Sequence, residues 1–152
     1  MIKTKYIRFG SVFLIIPLLF FSSAAPTNDE LTSDILKHTN KFRRSKGLTV
    51  LVMRDDLNAI ARRHSEDMAS SRTGFGHGGF KQREQKVKKI VKPYYGMAEN
   101  VAFGARSGKD AFEMWKNSSE HRKNMLGNYK YIGIGAARSR RGVIYYTEIF
   151  VK

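Results

Sequence analysis

Apolar positions fall into blocks whose spacing changes along the chain. The first block is unbroken. Val12 to Phe21 reads VFLIIPLLFF behind a basic start of Lys3, Lys5 and Arg8, and the small residues Ser22-Ser23-Ala24 follow. That order is the order of an export signal, and ten apolar residues interrupted by Pro17 are too few to cross a bilayer comfortably. Residues 1–24 are therefore read as a signal peptide and 25–30 as a short polar tether.

From Glu30 to Ser45 the spacing becomes helical. Leu31, Ile35, Leu36 and Phe42 line one side, with Asn28, Asp29 or Thr32 as the expected cap and Gly47 as the stop. LTVLVM at 48–53 is short and β-branched, which suits an extended connector. A second helix is predicted from Asp55 or Asp56 to about Ser71, because Leu57, Ile60, Ala61, His64 and Met68 make one amphipathic stripe. His64 on that stripe reads as a packed structural histidine. TGFGHGGF at 73–80 sets four glycines around His77 and is a loop. A basic helix is expected over 81–91, and Pro93-Tyr94-Tyr95-Gly96 breaks the chain after it.

A further helix over 109–117 carries Phe112 and Trp115 on one face, and Ser118-Ser119-Glu120-His121 caps a short turn bearing Asn124, Met125 and Leu126. Tyr131–Ala137 and Val143–Val151 are β-branched and aromatic, with SRRG at 139–142 between them, which predicts a terminal hairpin. Helices, a loop-rich middle and a hairpin place the chain in the α+β class, with helices covering a small antiparallel sheet.

Composition narrows the chemistry. The 152 residues suit one domain. They contain no cysteine, so the core alone must stabilise the fold, and thiol catalysis and thiolate metal sites are excluded. Net charge is +15, which attracts anionic polymers or membrane surfaces in a salt-dependent way. The densest basic run is Lys81–Lys92. No specific nucleic-acid partner is expected, and the domain is expected to be a monomer.

Three residues carry the candidate chemistry. His77 precedes Glu99 by 22 residues, and His121 follows Glu99 by 22. Two imidazoles and a carboxylate converging from separate segments would suit Zn²⁺ or another divalent cation, leaving a position open for water. The same residues could instead do acid–base work, with the glutamate orienting a histidine that moves a proton. The chain has no H-E-x-x-H, G-x-S-x-G, P-loop or dinucleotide fingerprint. A serine nucleophile is therefore unsupported.

At these residues the sequence resembles the CAP superfamily, the cysteine-rich secretory, antigen five and pathogenesis-related proteins, in its compact bacterial form. The matching segments are Asn40 with Arg43, Leu57 through His64-Ser65 to Met68-Ala69, Gly76-His77 and Ala98-Glu99-Asn100-Val101-Ala102. Trp115 with Ser118, His121-Arg122-Lys123-Asn124-Met125-Leu126, Ile132-Gly133-Ile134-Gly135 and Tyr145-Tyr146-Thr147-Glu148-Ile149-Phe150 continue them in family order. The resemblance implies a three-layer α-β-α sandwich with a central antiparallel sheet, over residues 31–152.

It also implies a cleft lined by two His and two Glu. His77 matches the first histidine and Glu99 the first glutamate. Ser118 stands at the second glutamate and Tyr145 at the second histidine, so half of that tetrad is replaced. His121, in a bacterial-type Ser-x-x-His-Arg-x-Asn segment, would supply an imidazole from another position. The expected function is a secreted or cell-surface binding module whose cleft comprises His77, Glu99, His121, Asn100, Ser118 and Tyr145. Its expected ligand is a divalent cation, small molecule, lipid or protein. Two alternatives stay open, a metal-assisted hydrolase acting on a peptide or cell-wall substrate, and a cationic adhesin for anionic polymer or lipid.

Overall fold

A computed structural model describes residues 24–152; the expected signal peptide, apart from Ala24, lies outside the described residues. The elements are α1 (Asn28–Ser45), β1 (Val52–Met53), α2 (Asp55–Ala69), α3 (Phe80–Ile90), β2 (Met97–Phe103), α4 (Gly108–Asn117), α5 (Ser119–Met125), β3 (Tyr131–Arg138) and β4 (Ile144–Val151). The predicted helices and terminal hairpin are all present. The segment around Glu99 is an extended strand, for which the sequence reading assigned no strand.

Helix ends follow local hydrogen bonding. α1 begins at Asn28 because Thr27 forms a capping box with Glu30, the Glu30 N–H donating to Thr27 Oγ1 at 3.2 Å and the Thr27 N–H to Glu30 Oε2 at 2.7 Å. The cap is thus Thr27, one residue before the expected candidates, and the helix takes over part of the expected tether. Gly47, with φ +71°, closes the other end as predicted. α2 starts from Arg54, not from an aspartate cap. Asp56 instead takes the Arg54 guanidinium at 2.6 Å and its own neighbour's N–H, from Leu57, at 2.8 Å.

The sheet runs β1-β3-β4-β2. β3, β4 and β2 are antiparallel, and the two-residue β1 joins the edge in parallel with β3. Strand alternation sends alternate side chains to opposite layers. One layer buries Leu31, Ile35, Phe112, Trp115 and Met125 from α1, α4 and α5 against Tyr146 and Phe150. The other buries Leu57, Ala61, Val87 and Val91 of α2 and α3 with its flank against Ile149 and Val151. The molecule is a three-layer α-β-α sandwich.

β2 is the edge that matters for the site. The Gly104 N–H donates to the Ile144 carbonyl and the Lys152 N–H to the Gly96 carbonyl, so the even-numbered positions of β2 face β4 and the odd-numbered ones face outward. Two outward carbonyls are capped by side chains. Trp115 Nε1 donates to the Val101 carbonyl at 3.1 Å, and Asn124 Nδ2 to the Glu99 carbonyl at 3.3 Å. These caps blunt an edge that would otherwise template a further strand.

Candidate functional site

Glu99 is buried at 1% side-chain exposure on the α2/α3 face of β2. A buried carboxylate is costly unless its oxygens accept hydrogen bonds, and here both do. Arg83 of α3 makes a two-pronged pair, Nε to Oε2 and Nη2 to Oε1, each at 2.6 Å. His77 Nδ1 donates to Oε1 at 3.0 Å. This is charge-assisted fork geometry, among the stronger polar contacts available to a protein.

The same guanidinium organises the loop that carries His77. Arg83 Nη1 donates to the Gly78 carbonyl at 2.7 Å and to His64 Nδ1 at 3.1 Å. His64 Nε2 then donates to the Gly76 carbonyl at 2.9 Å. Because Arg is a donor only, His64 must keep a lone pair on Nδ1 and its proton on Nε2. Burial first, and the Arg83 charge second, push its pKa below the ordinary histidine value and keep the ring neutral. Gly79 makes room for this arrangement. It caps α3 at φ +77°, and a Cβ there would sit 3.2 Å from Arg83 Nη1.

His77 itself is half-exposed, at 51%. Nδ1–H is committed to Glu99, and Nε2 has no hydrogen-bond partner among the described residues. His121 approaches from the opposite layer across the β2 edge. Its backbone carbonyl accepts from Asn100 Nδ2 at 3.2 Å, and burial followed by the nearby His77 charge lowers its pKa.

The remaining predicted residues divide. Asn100 follows Glu99 in the strand, so its side chain lies in the other layer, fully buried, accepting from Asn124 Nδ2 at 2.9 Å and donating to Glu148 Oε2 at 3.2 Å. Glu148 also accepts from Thr39 Oγ1 at 3.4 Å, and burial pushes its carboxyl up to about 8. Ser118 is the half-buried residue at the start of α5, with no side-chain capping bond. Tyr145 stands opposite Phe103, four strand positions from the Glu99 pairing, and lines a separate cavity with Phe103.

Arg83 and Glu148 are the residues that sequence reasoning missed. Arg83 was hidden among the lysines of α3, and its one signal is position: it falls four before Val87, on the buried stripe, while the lysines face out. Glu148 sits between Tyr146 and Phe150 in the alternation of β4, all three fully buried. His64 is packed as expected, but in the wall of the site.

The donor set does not fit a three-ligand metal centre. Both Glu99 oxygens are already engaged by Arg83, His64 has spent both nitrogens, and among the described residues no three His, Asp or Glu side chains are grouped to hold an ion. What the arrangement offers is an oriented imidazole on a locked carboxylate.

A model of the cysteine-rich secretory protein (CAP) family matches residues 36–150. Two proteins of Bacillus subtilis are similar in sequence. YkwD is 29% identical over 121 residues, 78% of this chain and 47% of that protein. The membrane protein YlbC is 32% identical over 123 residues, 78% of this chain and 33% of that protein. The chain thus spans less than half the length of these curated relatives. Among solved structures, an extracellular SCP-domain protein from Bacillus anthracis superposes with a TM-score of 0.71 at 24% identity, over 82% of this chain and 41% of that one. A cysteine-rich secretory protein from Staphylococcus aureus gives 0.69 at 26% identity, over 84% and 40%. An outer surface protein from Borrelia burgdorferi gives 0.66 at 18% identity, over 83% and 97%.

Proposed function

The chain belongs to the CAP, or cysteine-rich secretory protein, family, and from that premise we propose that it is a binding module acting outside the cell. Its ligand is held in the cleft where Glu99 presents His77 opposite His121. The observation that carries this reading is the locked pair. Arg83 saturates Glu99, and Glu99 fixes the half-exposed His77 ring through Nδ1, with no hydrogen-bond partner on Nε2 among the described residues. A site pre-organised in this way spends little entropy on binding. It favours a ligand that brings a hydrogen-bond donor, a hydroxyl or an N–H, to His77 Nε2.

Export is supported by the basic, apolar and small-residue order of residues 1–24. No described helix is long and apolar enough to cross a membrane. Of the alternatives, hydrolysis keeps one supporting feature, since a glutamate orienting a histidine is also the geometry of a general base. The Glu99 carboxylate is too fully engaged to serve as a metal ligand without giving up Arg83.

The test is an NMR titration of the full chain with panels of soluble glycan and peptide fragments, following the His77 and His121 ring signals. Binders are expected to move both rings and to be lost in His77→Ala. Binders that leave the rings unmoved would refute the cleft. Calorimetry with Zn²⁺ beside the His77→Ala, His121→Ala double variant runs in parallel. Micromolar heat abolished by that variant would transfer the reading to a cation held by the two imidazoles.

A further inference from the structure

A second concave site lies at the hairpin end of the sheet. It is a cavity of about 930 Å³ between the end of α2 and the β3–β4 turn, within the size range of small-molecule sites. Five of its lining residues are arginines, and Glu66 is its one acid. Arg63 and Arg72 are partly neutralised by Asp67, at 3.4 and 2.6 Å. Among the described residues no carboxylate comes within ion-pair distance of Arg138, Arg140 or Arg141.

The arginines stand on a pinned frame. In the turn, the Ser139 N–H donates to the Val143 carbonyl at 2.8 Å, the Gly142 N–H to the Ser139 carbonyl at 2.9 Å, and the Val143 N–H to Ser139 Oγ at 3.1 Å. Gly142 takes the φ of +78° that the turn requires. Arg138 Nη2 is tied to the Pro26 carbonyl at 2.6 Å. Facing them, Ser71 has φ +58°, the one non-glycine residue with positive φ among those described. Ser71 is the left-handed residue that closes α2, its N–H donating to the Met68 carbonyl at 3.1 Å and the Arg72 N–H to the Asp67 carbonyl at 2.9 Å. Phe103 and Tyr145 form the apolar wall, their rings near-parallel at 5.6 Å.

We propose that this cavity is a second binding site, for a ligand carrying two or more phosphoryl groups. Guanidinium forks match phosphoryl oxygens two at a time. A doubly charged group with three acceptor oxygens can satisfy several converging arginines, whereas a single carboxylate cannot. The site is separate from His77, which is not among its lining residues, although Phe75 of the His77 loop packs edge-on against Phe103 at 4.7 Å. It also differs from the lysine-rich face of α3, where the sequence alone places anion binding.

Calorimetry of the full chain with inorganic tripolyphosphate tests the proposal. The wild type is expected to bind in the micromolar range and to weaken steeply between about 50 and about 200 mM salt. Arg140→Gln with Arg141→Gln is expected to weaken binding at least tenfold. The triple variant K86Q/K88Q/K89Q on α3 removes more charge, yet is expected to change binding less than threefold. Equal losses in the two variants would mean unspecific attraction and would overturn the proposal, as would an absence of binding. Sedimentation with phosphatidylcholine vesicles containing phosphatidylinositol 4-phosphate, whose headgroup carries two phosphoryl groups, separates the sources. Pelleting that depends on Arg140 and Arg141 points to a lipid headgroup, and dependence seen with tripolyphosphate alone points to a soluble phosphorylated ligand. Pelleting that is the same in all three proteins, with no tripolyphosphate binding, refutes the site.

Discussion

Glu148 has no exposed surface and stands between Tyr146 and Phe150 in the alternation of β4, with only Asn100 and Thr39 as polar partners. Neither partner carries a charge, so burial dominates and raises the carboxyl to about 8. The consequence for stability has an unusual sign. Above the ordinary value of 4.5 the unfolded chain loses this proton while the folded chain keeps it, so stability falls as pH rises from about 4.5 to about 8 and is flat beyond. At about 1.4 kcal/mol per unit, the loss at neutral pH is on the order of 3 kcal/mol. Glu148→Gln keeps the shape and an acceptor for Asn100 but has no proton to lose. Its urea-unfolding free energy is expected to exceed that of wild type by roughly 4 kcal/mol at pH 8 and to match it at pH 4.5. A difference between the two proteins that does not change with pH would show that Glu148 is ionised in the fold.

At the level of elements, the tightest junction is α2 against β3. A methyl group on Gly133 would overlap the Leu57 backbone, and one on Gly135 the backbone of Ala61 and Arg62. Ser65 Oγ donates across the same junction to the Gly135 carbonyl at 3.1 Å. Backbone cannot step aside as a flexible side chain can, so Gly135→Ala is expected to cost roughly 3 kcal/mol or more in chemical denaturation, at the upper end for overpacking. A loss below about 1 kcal/mol would mean that the helix can lift off the strand. The helices and the hairpin were legible because each buries one face, and burial of one face writes a period into the sequence. β2 was not legible: Glu99 and Asn100 are buried polar residues on opposite faces, so no apolar alternation marks the strand. The same reason hid half the site. His77 and Glu99 stand out as unusual residues in unusual places, but Arg83 and Glu148 act through burial and partners, which are set by tertiary packing and leave only a faint positional trace.

For the molecule as a whole, two apolar clusters on either side of one sheet hold the fold without a disulfide. They do so against charge repulsion. Three of the 28 cations and none of the 13 acids fall in residues 1–23, which leaves +12 on the described residues. Much of that excess sits on α3 and on the hairpin turn, where ion pairs are few. Self-repulsion of this kind is screened by salt. Raising sodium chloride from about 20 to about 200 mM is expected to lift Tm by a few degrees, in wild type and in R140Q/R141Q alike. Tripolyphosphate adds a second effect by mass action if it binds the folded state alone. At millimolar concentration and fixed ionic strength it is expected to raise the wild-type Tm further, and that of R140Q/R141Q by clearly less. If the double variant gains as much as wild type, the anion acts on the net charge of the whole surface. If wild type gains clearly more, the hairpin arginines act together as one site on a fold whose charge is otherwise merely a load on stability.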